Sequence, residues 1–212
     1  MKIALLLDNP RSWIVPYAKE LMQVLEERGH SVSWHERAED MEQGDCAFFL
    51  SCEKIVPPAL LALHAHNLVV HESALPQGKG FSPLTWQILE GKHDIAVTLF
   101  EAAEGLDCGD IFGQEMMHFD GSELIHELRQ KQGEATIRLI LAFVDAYPPG
   151  PGKLQEGEES FYPRRTPKDS ELDPDQTLAQ VFDRLRVADN ERYPAFFTHR
   201  GHTYILKIYK KD

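Results

Sequence analysis

The sequence predicts an α/β fold with a mostly parallel sheet, and two patterns carry that prediction. Strand-length runs occur early in the chain, at residues 2–7, 31–35, 45–51 and 68–70. Mainly apolar runs of this kind are typical of parallel strands that are buried on both faces. Segments with helical spacing of apolar residues separate several of these runs, so helices are expected to cover the sheet. The order β-α-β-β-α-β up to Val70 is that of a Rossmann-like sheet.

The first helix is predicted directly after the first strand. Apolar residues recur three and four positions apart from Ile14 to Leu25, with Ser12 as a suitable N-cap and Gly29 as the terminator. Pro16 falls near the first turn, where its missing N–H does little harm. This segment therefore reads as an amphipathic helix that faces the sheet.

The remaining elements are predicted from the same strand-like and helix-like patterns of apolar residues. They are a helix from Pro57 through His64, a helix over 82–90, a strand over 96–102, a long amphipathic helix within 121–147, a short helix over 175–186 and a hairpin over 193–209 with Gly201 in its turn.

The domain organisation is predicted from a break after the long helix. The Pro/Gly-rich stretch 147–152 ends that helix, and residues 153–161 are mostly polar with three glutamates, as in a mobile linker or surface loop. We therefore expect a main domain over 1–150, a linker over 151–162 and a small α+β extension over 163–212.

Composition limits the class of partner. The chain has 212 residues, of which 42% are hydrophobic, and a formal net charge of −12. Binding to a phosphate backbone depends on clustered Lys and Arg, so a nucleic-acid partner is not expected. Small molecules are the expected ligands, and the protein is expected to be a monomer or a homodimer.

The sequence also bears on location and metal content. No apolar run approaches the ~20 residues of a membrane span, and the first strand meets Asp8 too soon for a secretory signal. Three cysteines without paired ligand spacing suit reduced thiols in a cytoplasm, which is the expected location. His64 and His66 lack a partnering Cys or carboxylate motif, so we expect them at a helix end and a loop and expect no metal site.

The most informative segment follows the fourth strand. His71 stands at the carboxyl end of the apolar run 68–70, and ligands bind at that edge of open α/β sheets. Histidine titrates near neutral pH and can take a proton from an amine or a hydroxyl. Asp107 opens an Asp-x-Gly turn 36 positions later. The pair predicts a general base and the carboxylate that orients it, although Asp107 alone could simply cap a turn.

These residues resemble the formyltransferases that use 10-formyltetrahydrofolate. The motif of that family is His-x-Ser-x-Leu-Pro, then Gly, Pro and Thr, and finally Asp-x-Gly-x-Ile. In this chain the matching residues are His71, Ser73, Leu75, Pro76, Gly80, Pro83, Thr98, Asp107, Gly109 and Ile111. The resemblance covers about residues 1–145 and implies the Rossmann-like formyltransferase fold, catalysis by His71 and Asp107, and 10-formyltetrahydrofolate as donor.

One position departs from the family pattern. The family has an asparagine two residues before the histidine, where it helps to hold the transferred formyl oxygen, and this chain has Val69. An oxyanion donor is typically worth about 3–4 kcal/mol. Ser73, Ser51 and Asn67 are candidate replacements, but Asn67 lies about 13 Å from His71 along an extended strand, which is too far for a direct substitution.

The resemblance also implies where the folate binds. In the family, the loop after the third strand gives backbone and apolar contacts to the pterin, and the residues around the catalytic aspartate form the other wall. The corresponding residues here are Ser51, Cys52, Ile55, Val56, Leu106 and Asp107.

The acceptor is expected beside the same strand ends. Asn9, Arg11 and Trp13 follow the first strand, where a ligand group can lie, although Trp13 could equally be a core residue. Residues that flank the histidine complete the predicted acceptor site: Glu72, Ser73, Lys79 and Gly80. Lys79 could contact a phosphate or a carboxylate, or could simply be solvated.

The resemblance favours one branch of the family. Formylation of initiator tRNA would call for a basic surface and, by resemblance, a larger carboxyl-terminal domain. The purine-biosynthetic branch opens with a glycine-rich phosphate loop, whereas residues 8–13 contain no glycine. The fragments 70–73, 79–80 and 190–197, with the Arg164-Arg165-Thr166-Pro167 stretch, resemble sugar N-formyltransferases. A nucleotide-linked amino sugar of bacterial surface glycan synthesis is therefore the expected acceptor.

Two alternatives remain open from the sequence. The acceptor could be another small amine, namely an amino acid, a peptide-bound amine or a purine precursor. The chain could also be a non-catalytic protein that only binds folate or a sugar nucleotide, in which case Val69 would mark the loss of chemistry. The presence of both His71 and Asp107 argues against the second alternative.

Overall fold

A computed structural model describes residues 1–211. The central sheet has six strands in the order β2-β1-β3-β4-β6-β7. Their bounds are β1 Lys2–Leu6, β2 Ser31–His35, β3 Gly44–Phe49, β4 His64–His71, β6 Asp94–Glu101 and β7 Ile111–His118. The first four strands of this order pair in parallel, whereas β4 with β6 and β6 with β7 are antiparallel. The predicted α/β class with a mostly parallel sheet is confirmed.

The helices cover both faces of this sheet. Their bounds are α1 Val15–Glu27, α2 Pro58–Leu61, α3 Pro83–Leu89, α4 Ile125–Asp145 and α5 Leu178–Arg186. The larger core cluster joins α1, α3 and α4 to alternate residues of β1, β3 and β6. A smaller cluster on the other face joins Ala4, Leu6, Ala47 and Phe49 to the region of α2. Burial on both faces explains why these strands read as continuous apolar runs.

Several predicted boundaries were wrong. The α1 helix begins at Val15 after Ile14, with no side-chain cap from Ser12. The α2 helix ends at Leu61, and β4 starts at His64, so His64 and His66 lie on a strand rather than at a helix end and a loop. Pairing with β3 from His64 onward outweighs the local helical pattern. The β7 strand was not predicted from the sequence.

Residues 151–162, predicted as a linker, are tied to the rest of the domain at several points. We call residues 153–162 the strap. Lys153 forms a two-way backbone bridge with Ile111, and the short strand β8, Phe161–Tyr162, pairs in parallel with β5, Lys79–Gly80. The strap therefore joins the two loops that carry the sequence motif.

The carboxyl-terminal segment forms a small unit of its own. It consists of α5 and a hairpin of β9, Ala195–His199, and β10, His202–Leu206, around a core that includes Leu172, Val181, Leu185 and Ala195. Buried Arg186 and the ion pair of Arg129 with Asp189 link this unit to α4 and the loop before it. Within residues 1–211, no helix has the length and hydrophobicity needed to cross a bilayer.

Candidate active site

A large cavity opens at the carboxyl ends of the parallel strands. Its volume is about 730 Å³, and ligands of α/β sheets bind at this edge. The walls come from the loops after β1, β3 and β4, from the Asp107 loop, from one face of α4 and from the carboxyl-terminal segment. Lining residues include Asn9, Trp13, 51–56, 69–72, 80–85, 105–107, Arg129, Gln132, 164–166, Asp189, Arg192 and Tyr193.

His71 lies at the last position of β4 and is almost completely buried. Its Nε2 lies 2.8 Å from the carbonyl oxygen of Gly78. A carbonyl can only accept, so Nε2 must donate, and the neutral ring therefore carries its lone pair on Nδ1. Nδ1 is the atom of His71 that can act as a base.

Asp107 stands next to that base. Its Oδ2 lies 3.8 Å from Nδ1 of His71, beyond direct hydrogen-bond distance, and accepts a 2.8 Å hydrogen bond from the backbone N–H of Gly80. The two side chains are only 8% and 13% exposed. An ion pair forms across this gap once Nδ1 gains a proton, so Asp107 stabilises the imidazolium.

The backbone geometry explains the glycines of the motif. Asp107 has a φ of 51°, in the left-handed region that aspartate tolerates. A Cβ at Gly109 would collide with the carbonyl oxygen of Glu101, and one at Gly80, whose φ is 100°, would collide with that of Tyr162. Glycine at both positions lets the Asp107 loop and the Gly80 segment approach their neighbours closely enough to meet.

Thr98 holds the loop after His71 in place. It pairs with His71 across β4 and β6, is fully buried, and donates from Oγ1 to the carbonyl oxygen of Ser73 over 2.6 Å. Gln114 of β7 donates in turn to Thr98 Oγ1. The threonine of the motif therefore has a positioning role rather than a place in the cavity.

The strap fixes the same loop from outside. Ser160 Oγ accepts from the backbone N–H of Gly78, the residue whose carbonyl orients His71. Gln155 donates to the carbonyl oxygens of Asp107 and Gly109. His71 and Asp107 are thus both connected to one segment that was predicted from the sequence to be a linker.

Glu72 brings a carboxyl group into the cavity beside His71. Burial raises the pKa of Glu72 above its ordinary value, and the partial compensation comes from His71 and from a hydrogen bond with Gln132 of α4. A carboxyl group in this position can bind an ammonium or a hydroxyl group of an acceptor.

Val69 gives the cavity an apolar wall where the family asparagine would stand. It packs with the smaller core cluster near Val56 and Ala102. Asn67 is occupied elsewhere, since its Nδ2 donates to the carbonyl oxygen of Leu61. Of the three candidate replacements, only Ser51 lines the cavity, where its Oγ lies 3.3 Å from that of Ser12.

The residues predicted to contact folate all line the cavity. Ile55 is 86% exposed and Leu106 40% exposed, so two large apolar side chains face open space. Burial raises the pKa of the Cys52 thiol to about 12, so this cysteine is not a nucleophile. Asp8 holds the loop by accepting from the backbone N–H groups of Glu53 and Lys54.

The residues predicted to contact the acceptor divide into two groups. Asn9, Trp13, Glu72 and Gly80 line the cavity. The structure does not bring Arg11, Ser73 and Lys79 to it. Lys79 is buried against Glu159 and Cys108, Ser73 is buried in the loop held by Thr98, and Arg11 is exposed outside the lining.

Several lining residues were not predicted from the sequence to belong to the site. Arg129 and Gln132 are contributed by α4, where the amphipathic pattern indicated only a buried face. Arg165 and Arg192 come from the carboxyl-terminal segment. The paired arginines at 164–165 were the available signal, but an equally good reading was a linker anchored by ion pairs. Within residues 1–211, no group of three metal-ligating side chains lies close enough to hold a metal ion.

This arrangement can remove a proton from a nucleophile that is bound in the cavity. Nδ1 of His71 supplies the base, Asp107 stabilises the resulting positive charge, and Glu72 can hold the nucleophile's amine or a neighbouring hydroxyl. The apolar side chains at the other wall suit a flat heterocycle. The site therefore fits group transfer between two organic ligands.

Comparison with known proteins agrees with this chemistry. The formyl transferase family matches residues 16–144. A methionyl-tRNA formyltransferase from Caldicellulosiruptor saccharolyticus is 26% identical over 162 residues, which are 75% of this chain and 51% of that protein. The chain thus spans about half the length of the curated relatives it matches.

Two solved structures share the fold. The methionyl-tRNA formyltransferase from Clostridium thermocellum superposes with a TM-score of 0.84 at 21% identity, covering 100% of this chain and 94% of that one. A likely sugar N-formyltransferase from Mycobacterium tuberculosis gives a TM-score of 0.78 at 19% identity, with 100% and 98% coverage. With the family match over more than half its length, the chain belongs to the formyl transferase family.

Proposed function

We propose that the protein transfers a formyl group from 10-formyltetrahydrofolate to the primary amine of a nucleotide-linked amino sugar, in the cytoplasm, for bacterial surface glycan synthesis. The observation that carries the proposal is the free Nδ1 of buried His71, which lies 3.8 Å from Asp107 at the strand-end cavity of a formyl transferase fold. The protein would act as a monomer or a homodimer.

The residues of the site divide the reaction between them. The neutral amine attacks the formyl carbon, and Nδ1 of His71 accepts the proton that the amine loses. Asp107 stabilises the imidazolium until that proton passes to N10 of the departing tetrahydrofolate. Val69 provides no donor to the developing oxyanion, and Ser51 is the candidate replacement among Ser51, Ser73 and Asn67 that lines the cavity.

Three observations support a small sugar nucleotide as the acceptor. The formal net charge of −12 disfavours a polynucleotide partner. The cavity is partly closed by the carboxyl-terminal segment, which contributes Asp189, Arg192 and Tyr193 to its lining. A likely sugar N-formyltransferase matches the fold over the whole chain.

The test is single-turnover formyl transfer with UDP-, dTDP- and CMP-linked amino sugars, followed by release of tetrahydrofolate. We expect turnover with one sugar and its loss in His71→Ala. The matched control is His118→Ala, because His118 forms an exposed pair with Asp94 outside the cavity. Turnover that survives in His71→Ala would contradict the proposed mechanism.

A second acceptor class follows from the sequence relatives, which are methionyl-tRNA formyltransferases. The same assay should therefore include methionyl-tRNA, free amino acids, peptide amines and a purine-precursor amine. Transfer to one of these and to none of the sugars would identify a different acceptor. The proposed roles of His71 and Asp107 would remain unchanged. Folate binding without any transfer would indicate a binding protein.

A further inference from the structure

We propose that Arg165, together with Arg192, forms an anion subsite at this cavity that binds the diphosphate of the acceptor. The inference rests on the proposed function and narrows it, because it assigns residues to one chemical group of the substrate. Both side chains line the same cavity as His71.

Arg165 is a half-buried cation without a protein partner. Its Nε is buried and makes no hydrogen bond, and no carboxylate of residues 1–211 lies within 4.0 Å of its guanidinium. The nearby carboxylate of Asp169 accepts instead from the backbone N–H and Oγ1 of Thr166. Burial lowers the pKa of Arg165, which Asp169 only partly offsets. A buried guanidinium in this state is stabilised by an anionic ligand.

The charge balance of the cavity points the same way. Its lining contains five cationic side chains, of which Arg129 pairs with Asp189 at 2.9 Å and Arg164 approaches Glu53 at 3.7 Å. Within residues 1–211, the other three have no carboxylate partner: Lys54, Arg165 and Arg192. The lining also has four carboxylates, Glu53, Glu72, Asp107 and Asp189, so its formal charge is +1, in contrast with −12 for the whole chain.

The segment that carries Arg165 is held in place before any ligand arrives. Trp86 Nε1 donates to the carbonyl oxygen of Pro163, and the guanidinium of Arg164 lies 4.4 Å from the ring centre of Phe81. Arg192 is similarly anchored, because its Nη1 donates to the carbonyl oxygen of Arg11. Preorganised cations lose little conformational entropy when they bind a phosphate group.

An anionic group at this subsite could come from the diphosphate of the acceptor or from the glutamate tail of the folate. Arg164 is already neutralised by Glu53 of the predicted folate loop, and that loop has a cation of its own, Lys54, for the folate tail. The unpaired Arg192 belongs to the carboxyl-terminal segment, away from that loop in sequence. We therefore assign the subsite to the diphosphate, which can engage two arginines at once.

The experiment is calorimetric titration of the full chain with inorganic pyrophosphate, UDP, dTDP and tetrahydrofolate, in a phosphate-free buffer of low ionic strength. The variants are Arg165→Gln and Arg165→Lys. Arg37→Gln is the matched control, because Arg37 is an exposed arginine that does not line the cavity.

We expect Arg165→Gln to weaken nucleoside diphosphate binding about 10- to 100-fold, as for the loss of a charge-assisted hydrogen bond. Arg165→Lys should be intermediate, Arg37→Gln should match the wild type, and tetrahydrofolate affinity should stay within about twofold of the wild-type value. The Tm of Arg165→Gln should not fall, since no protein partner is lost. A merely structural arginine would lower the Tm and leave diphosphate affinity unchanged.

Other results overturn the inference in distinguishable ways. Weakened tetrahydrofolate binding in Arg165→Gln would assign the subsite to the folate tail. Wild-type protein that binds none of the diphosphates would remove the subsite altogether. Normal formyl transfer to a sugar nucleotide by Arg165→Gln would refute the subsite while leaving the proposed function standing. Diphosphate binding that depends on Arg165, without transfer to any sugar nucleotide, would support the subsite and refute the proposed function.

Discussion

The two sides of the cavity differ in how their polar groups are satisfied. On the His71 side, Nε2 of His71 is bound to Gly78, Asp107 is bound to Gly80, and the strap holds the loop between them. On the other side, Arg165 is partly buried, its Nε makes no hydrogen bond, and it has no ion-pair partner among residues 1–211. The His71 side therefore has its geometry fixed before any ligand binds, whereas the Arg165 side keeps a polar group free to bind one.

Replacing the charge of Asp107 should have the largest effect. Asparagine at this position can still accept from the N–H of Gly80, so the loop should keep its shape while the imidazolium of His71 loses its counter-charge. We expect kcat of Asp107→Asn to fall about 100-fold or more, with tetrahydrofolate affinity nearly unchanged. Single-turnover transfer and calorimetry would measure the two quantities.

The charge explanation can be separated from a simple loss of packing. Asp110, two residues beyond Cys108, provides the matched control Asp110→Asn in the same loop region. A wild-type kcat in Asp107→Asn would mean that His71 acts without the charge of Asp107. On the His71 side of the cavity, His71 would then be the only one of the two residues needed for the reaction.

Val69 leaves the His71 side of the cavity without the oxyanion donor of the family, and restoring that donor should give the next largest effect. Val69→Asn would place an amide donor on an apolar wall, so we expect kcat to rise about tenfold, less than the 10²–10³ typical of an optimised oxyanion donor. The Tm should fall because a polar group enters the apolar cluster.

The control for this gain is Leu63→Asn, because Leu63 packs against the same apolar cluster as Val69 but does not line the cavity. A rate that stays at the wild-type level in Val69→Asn would show that another donor, with Ser51 as the first candidate, already holds the formyl oxygen.

The strap should contribute a smaller effect, seen mainly in stability. Burial opposes the charge of Lys79, but hydrogen bonds with Glu159 and Cys108 prevail and raise its pKa. Glu159→Gln removes the counter-charge. Leaving a buried donor poorly paired costs about 1–3 kcal/mol, and the half-exposed Glu159 places this pair near the lower end.

Thermal unfolding would measure that loss as about 2–4 °C in Tm per kcal/mol. Glu158→Gln is the matched control, since Glu158 is the preceding exposed glutamate of the strap. Equal Tm values for the two variants would show that the backbone bridges of the strap suffice without the Lys79 pair.

The same contrast explains what the sequence could and could not predict. The parallel strands were predictable because burial on both faces leaves an apolar run, and His71 and Asp107 because a motif carries them. The strap was not, since its order depends on contacts far along the chain, such as Lys153 with Ile111. The β7 strand carries no comparable run, and only the fold shows that Arg165 lacks a partner.

The smallest expected effect concerns Glu72. This residue lies beside His71, yet the cost of burying its carboxylate is only partly offset by neighbouring groups. Burial raises its pKa, so the folded state favours the neutral carboxyl group. Its contribution to stability is then full below the ordinary glutamate pKa and is lost as the pH rises through the raised value. Glu72→Gln avoids this loss, so its Tm should equal that of the wild type near pH 4 and exceed it at pH 7.5, by about 2–4 °C for each kcal/mol.

Glu90 supplies a control with the opposite sign. Burial acts to raise its pKa, but hydrogen bonds from Tyr162 and Lys92 outweigh burial and lower it, so charged Glu90 contributes stability that is lost as the pH falls. Glu90→Gln should therefore lower the Tm at pH 7.5. Thermal scans of both variants across this pH range should diverge in opposite directions from the wild type. Parallel curves for Glu72→Gln and the wild type would show that the carboxyl group is already compensated, and the groups of the cavity that await a ligand would then be its unpaired cations, Arg165 among them.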